Sequence, residues 1–188
     1  MTIYIVRHGE TEENRQKILQ GHMPGTLTEN GREQIRKAAE RLAVEDVTFS
    51  RIVSSDLRRA MESAGIIADR LNIPVIPMEM LRERDWGRFT GIPIQEAIDK
   101  YLIDGKWAFP EGSVETADEI YKRAGMALAE LEKRFAGETI IVVTHGQMAR
   151  NLIAAHFKCD YHEVTSMVNA EVRILNTHRH PNQSSPMM

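Results

Sequence analysis

Two short β-branched runs, Ile3-Tyr4-Ile5-Val6 and Thr139-Ile140-Ile141-Val142-Val143, set the tightest limit on what this chain can fold into. Neither alternates apolar with polar, so both faces of each strand must be covered, as in the middle of a parallel sheet flanked by helices. Arg51-Ile52-Val53-Ser54 offers a third such strand. Residues 73–78 contain Pro74 and Pro77, which lack amide donors and confine that stretch to an edge or a very short strand. Residues 171–176 read as a last strand.

Between the strands, apolar residues recur at helical spacing over roughly 31–44, 57–71, 117–135 and 147–157. Thr28 and Thr116 precede the first and third as N-caps. Strands alternating with helices predict an α/β fold: a three-layer sandwich with a mostly parallel central sheet flanked by helices. Residues 86–115 break this rhythm. Gly87, Gly91, Pro93, Gly105 and Pro110 interrupt them, and two Trp and two Phe are scattered among them, which predicts a small lid insertion.

The 188 residues, 42% hydrophobic, suffice for one buried core, so residues 1–176 are expected to form a single domain. Polar residues 177–188 read as a flexible tail. A net charge of −3 provides no general basic field, which argues against nucleic acid as a partner and requires any anion to be gripped by a local arginine cluster. Cys159 is the only cysteine, leaving no intramolecular disulfide and no multi-cysteine metal site. No apolar run approaches the ~18 residues of a membrane span, and, with residues 3–6 read as the first strand, no leader is expected. A cytoplasmic location is the expectation, and homodimerisation is left open.

In open parallel sheets, ligands bind where strand carboxyl ends meet helix N-termini. Three strand ends carry chemistry there: Arg7-His8-Gly9, Ser54-Ser55-Asp56-Leu57-Arg58-Arg59 and Thr144-His145-Gly146. If the strands are neighbours, two imidazoles and at least two guanidiniums converge on one cleft. Guanidinium forks hold phosphate oxygens while charge redistributes, and a neutral imidazole can serve as nucleophile, so the cluster suits phosphoryl transfer. Departure of an alkoxide needs a proton donor, and Glu83, ahead of the aromatic insertion, is the best candidate.

Taken in order, Arg7-His8-Gly9-Glu10-Thr11 with Asn14, Leu27-Thr28 with Gly31, Ser55-Asp56-Leu57 with Arg59-Ala60, Leu81 with Glu83 and Gly87, and Val143-Thr144-His145-Gly146 resemble the histidine phosphatase superfamily, also called phosphoglycerate mutase-like. The resemblance runs essentially to Asn176. It implies that His8 is phosphorylated, that Arg7, Arg59 and His145 complete the phosphate pocket, and that Asn14 adds a contact. It also implies that Glu83 protonates the leaving oxygen and then deprotonates the attacking water. No metal and no cofactor is implied. Gly146, where the acid phosphatase branch carries Asp, sets the chain apart from that branch. Glu115 and Arg123 match a structural pair of the family.

Pro24 and Thr90 depart from residues common in relatives at the pocket rim and bear on the choice of substrate. Gly146, Gly21 and His22 are further candidates for substrate contact, although His22 also reads as an exposed loop residue. Arg58 reads better as a solvated helix charge than as a pocket residue. Arg82 and Arg84 flank the proposed acid, where either could bind a second anionic group, with at least one facing solvent. Trp86, Trp107 and Phe109 serve equally well as a substrate wall or as lid packing. His156, His162, His178 and His180 belong to no motif and read as surface residues.

The expected function is hydrolysis of a small phosphorylated metabolite. Its rivals are a phosphoglycerate mutase, an idle phosphate-binding module and a two-histidine metallohydrolase. The short stretch between Glu83 and His145 favours hydrolysis, since a mutase must retain its intermediate away from water.

Overall fold

The structure, a computed structural model, describes residues 1–104 and 106–176; the expected tail, with His178 and His180, lies outside the described residues. A five-stranded sheet is built from β1 (Thr2–Arg7), β2 (Ile52–Ser54), β3 (Val75–Pro77), β6 (Thr139–Thr144) and β7 (Val172–Leu175) in the order β3-β2-β6-β1-β7. Three of its pairings are parallel, and only β7 runs antiparallel, beside β1. The two apolar runs thus lie next to each other near the middle, and the proline-bearing strand takes an edge.

Alternate residues of the strands feed two cores. Ile3, Ile5, Ile140 and Val142 pack with Ile120, Ala127, Leu131 and Leu152 of α5 (Ala117–Phe135) and α6 (Gly146–Phe157). Tyr4, Val6, Ile141 and Val143 face Ile35, Ala39, Ala64 and Ile67 of α2 (Glu29–Ala43) and α3 (Arg58–Leu71). Each such side chain contributes about 1.5–3 kcal/mol of burial, which is why these strands tolerate no polar position on either face.

Helix boundaries follow local chemistry. Thr28 Oγ1 accepts from Gly31 N at 2.8 Å, so α2 starts at Glu29 rather than at 31, while Thr116 and Glu119 form a capping box that starts α5 at Ala117. Asn72 and Lys158 adopt left-handed conformations that terminate α3 and α6. A one-turn helix α1 (Glu12–Arg15), capped by Thr11, was too short to register as apolar periodicity.

Residues 86–115 contain more regular structure than expected: helix α4 (Ile94–Tyr101) and a hairpin of β4 (Leu102–Ile103) and β5 (Lys106–Trp107). The aromatics pack on one another. Trp107 stacks on Phe109 at 5.3 Å, Phe109 on Tyr101 at 4.9 Å, and Trp86 meets Trp107 edge-on at 5.9 Å. This satellite core includes Leu19 and is fastened to the 17–19 loop by the Leu19–Ile92, Gly91–Leu19 and Ile94–Lys17 backbone bonds. No helix among the described residues is long and apolar enough to cross a membrane.

Candidate active site

Sheet register carries the two histidines together. Arg7 pairs with Thr144, His8 N donates to Thr144 O at 3.0 Å, and the imidazole rings lie 5.1 Å apart, tilted by 60°. Ser54 pairs with Val143, and Ser55 N donates to Val143 O at 2.9 Å, which sets the β2–α3 connection beside His145. Arg59, on the first turn of α3, reaches His8 from there.

His8 is 2% exposed. Its Nδ1 lies 2.7 Å from Gly9 O, and a carbonyl oxygen can only accept, so Nδ1 carries the proton and Nε2 keeps the lone pair. Arg59 Nε donates to that Nε2 at 3.3 Å. Burial, reinforced by Arg59 and Arg7, holds the His8 pKa well below the ordinary imidazole range, so the ring stays neutral and nucleophilic at neutral pH.

Arg59 is wholly buried, and Nη1 and Nη2 donate to Met23 O and Gly21 O. Burial pulls its pKa to about 10, which leaves it charged at neutral pH. Arg7 Nη1 donates to Met167 O at 2.6 Å while its Nε, although buried, has no hydrogen-bond partner. His145 shows the same asymmetry: Nε2 lies 2.8 Å from Ser55 Oγ, and the buried Nδ1 has none. Orphaned buried polar nitrogens are rare in folded proteins. One on the Arg7 guanidinium and one on His145, beside the Arg59 guanidinium, form a locus that an oxyanion would satisfy.

Glu83 closes the site. Its Oε1 accepts from Arg84 N (2.9 Å), Gln147 N (3.1 Å) and Met148 N (3.2 Å); Oε2 accepts only the longer contact from Gln147 N, at 3.3 Å. The amides at the start of α6 therefore hold a protein carboxylate. A Cβ built on Gly146 would lie 3.7 Å from Arg7 Nε and 3.8 Å from Glu83 Oε2, so this glycine lies between guanidinium and carboxylate.

The Glu83 main chain is pinned from three sides. Arg123 donates to Met80 O, Arg82 O and Glu83 O and makes a two-pronged ion pair with Glu115, at 2.7 Å on each prong. Thr144 Oγ1 donates to Leu81 O, and His22 Nε2 lies 2.9 Å from Glu83 O. His22 is exposed, and Gly21 contributes a carbonyl to Arg59 from a left-handed backbone at φ +48°.

Asn14 sits one step outside. Its Oδ1 accepts from Thr11 N in a capping box and from Asn169 Nδ2 at 3.2 Å; the same Asn169 group donates to His8 O at 3.1 Å. Arg58 is exposed, as a surface charge should be. Arg82 does not face solvent freely, being engaged by both oxygens of Asp56 and by Glu79. Arg84 lies over the Trp86 ring at 4.4 Å and donates to Glu115 O. His156, expected on the surface, is half-buried and lines a cavity with Met1, Ile3 and Leu128 at the other end of β1.

Following His8, Gly9 reads by sequence as a residue that lets the backbone approach an anion, but a Cβ there would lie 2.4 Å from Gly31 O, so the glycine lets α2 close on the loop. Sequence reasoning missed Ser55 as the partner of His145, although it had marked Ser55-Asp56-Leu57. It also missed Asn169 and Met167, whose segment between α6 and β7 carries no patterned signal.

Comparison with known proteins is consistent with this geometry. A sequence model described as histidine phosphatase superfamily (branch 1) matches residues 3–185. "Phosphoglycerate mutase-like protein 4" of Arabidopsis thaliana is 39% identical over 80% of this chain and 68% of its own length. "Metal-independent phosphoserine phosphatase" of the same plant is 35% identical over 79% and 65%, respectively. A mycobacterial glucosyl-3-phosphoglycerate phosphatase, solved with VO3, superposes with a TM-score of 0.82 at 29% identity, covering 94% of this chain and 93% of that one.

Proposed function

The chain belongs to branch 1 of the histidine phosphatase superfamily, and from that premise we propose that it hydrolyses a small phosphorylated metabolite through a phosphohistidine on His8, without a metal or other cofactor. The observation that carries this reading is the His8 ring: buried, neutral, and held by Gly9 O so that a lone pair remains on Nε2 beside Arg59.

In the first step, Nε2 attacks phosphorus and the ester P–O bond breaks. Glu83, protonated, gives its proton to the departing oxygen, so an alcohol leaves. Oε2 is the oxygen suited to this transfer because Oε1 already takes three backbone N–H groups. In the second step, the Glu83 carboxylate takes a proton from water, the water oxygen bonds to phosphorus, and the P–N bond breaks to release inorganic phosphate and neutral His8. Arg7, Arg59 and His145 hold the three equatorial oxygens throughout.

The charge pattern supports metal independence, since a cation would have to enter between two buried guanidiniums. A carboxylate held by the α6 amides, on a main chain held by Arg123, counts against an idle binding module, which has no use for an acid. The test is hydrolysis of p-nitrophenyl phosphate and of a metabolite panel in excess EDTA, followed by acid-labile, base-stable labelling of His8 from a 32P substrate. Activity that vanishes on chelation and returns with zinc or manganese overturns the reading. Conversion of 3- to 2-phosphoglycerate with a bisphosphoglycerate primer, without net phosphate release, replaces it with a mutase.

A further inference from the structure

Ser55 is completely buried, and its hydroxyl has two neighbours among the described residues. Leu57 N donates to Oγ at 3.3 Å, and His145 Nε2 lies 2.8 Å away. An amide N–H cannot accept. The hydroxyl proton therefore has one acceptor in reach, the Nε2 lone pair of His145, and a neutral imidazole that accepts at Nε2 carries its proton on Nδ1. Nδ1 is the buried atom of this ring with no partner in the protein, on a side chain 5.1 Å from the nucleophilic ring.

Building on the proposed hydrolysis, we propose that Ser55 is a positioning residue that sets the tautomer of His145, so that Nδ1–H is offered to the phosphoryl oxygens before the ring acquires a charge. The two histidines then have opposite assignments by local hydrogen bonding: Gly9 O leaves His8 a lone pair at Nε2, and Ser55 Oγ gives His145 a donor at Nδ1. Without Ser55, nothing local selects the Nδ1–H form, and the tautomer with a lone pair at Nδ1 would repel the anion.

The groups facing His145 make this assignment matter. Arg7 ends β1 and His8 follows it, Arg59 stands on α3, His22 on the loop before α2, and the Glu83 carboxylate, from the segment between β3 and α4, is bonded to the amides at the start of α6. Burial and the surrounding cations hold the ring well below its ordinary pKa, so it meets the substrate neutral at pH 7. Once acid protonates it, both nitrogens carry hydrogen and the tautomer ceases to matter.

The signature is therefore a defect of the neutral ring that a restored hydroxyl reverses. Ser55→Ala should lower kcat/KM for p-nitrophenyl phosphate by about 10-fold or more at pH 8, since it removes one oriented donor from the transition state in most molecules. That loss should persist wherever the ring stays neutral, and Ser55→Thr, which keeps the hydroxyl, should recover most of the rate. No loss, or a loss that Ser55→Thr leaves in place, overturns the proposal. Long-range 1H–15N correlation of the 15N-histidine wild type reads the tautomer directly, with Nδ1–H expected for His145 and Nε2–H overturning the assignment. That spectrum needs neither a variant nor turnover. A chain that shows Nδ1–H yet does not hydrolyse phosphoesters refutes the proposed activity alone.

Discussion

The His8 and His145 rings meet at 5.1 Å because the main chain beneath them is continuous sheet: His8 N donates to Thr144 O, extending the β1–β6 ladder one residue past its last pair. Their spacing is a property of strand register, so it does not depend on flexible loops.

Replacing His8 removes the proposed nucleophile while leaving that ladder intact. His8→Ala should lower p-nitrophenyl phosphate hydrolysis by at least about 10³-fold with little change in the unfolding midpoint, as loss of a covalent catalyst does elsewhere. Steady-state kinetics with a thermal melt checks both; hydrolysis at the wild-type rate refutes the assignment of His8.

Glu83→Gln keeps acceptor oxygen for the α6 amides but cannot supply the proton. The rate on an alkyl phosphate should fall by about 10²–10⁴-fold, the usual worth of general acid catalysis. Formation of the phosphoenzyme from p-nitrophenyl phosphate should fall less, because p-nitrophenolate leaves unassisted. Equal losses in the phosphorylation step for both substrates would exclude Glu83 as the donor.

Arg123 joins the Glu83 segment to Glu115, with the two side chains 22% and 14% exposed. Arg123→Met takes the guanidinium from a mostly buried carboxylate, which keeps the Asp85 amide, and from three carbonyls, and should cost about 2–4 kcal/mol of stability. Denaturant titration measures this. Adding Glu115→Gln should recover part of it, whereas strict additivity would mean the pair is not coupled.

Both histidines of the candidate site have folded pKa values depressed below the ordinary 6.5. Below pH 6.5 the unfolded chain takes up protons that the folded chain refuses, so their share of stability is complete above 6.5 and declines as the pH falls. Tm should drop between pH 7 and 5, and His145→Gln should flatten that slope. The carboxylates lowered by ion pairing or hydrogen bonding, such as Asp56 and Glu138, act in a separate window below their ordinary values of 3.8 and 4.5. A Tm independent of pH from 7 to 5 contradicts the depressed imidazoles.

Gly9→Ala would drive a methyl group to 2.4 Å from Gly31 O, backbone against backbone. An expected loss of about 1–3 kcal/mol, with weakened turnover as α2 and the His8 loop separate, is accessible by melting and kinetics together. An unchanged protein would mean that the glycine is dispensable.

Elements that depend on local pattern were legible in the residues alone. Continuous β-branched runs announced β1 and β6 because neither strand has a face to give to water. Thr28 and Thr116 announced helix starts because an exposed first turn needs an acceptor. Placing His8, His145 and Arg59 at strand or helix ends was legible for the same reason. Tertiary structure alone decided what those ends touch. Ser55 beside His145, Asn169 bridging His8 and Asn14, and Arg123 holding Glu83 are contacts between distant segments, set by sheet register and helix docking. The aromatics of residues 86–115 could face substrate or each other by sequence, and packing chose each other. Periodicity records how far a side chain must be buried, whereas a hydrogen-bond partner is fixed only when the backbone has brought two remote residues within about 3 Å.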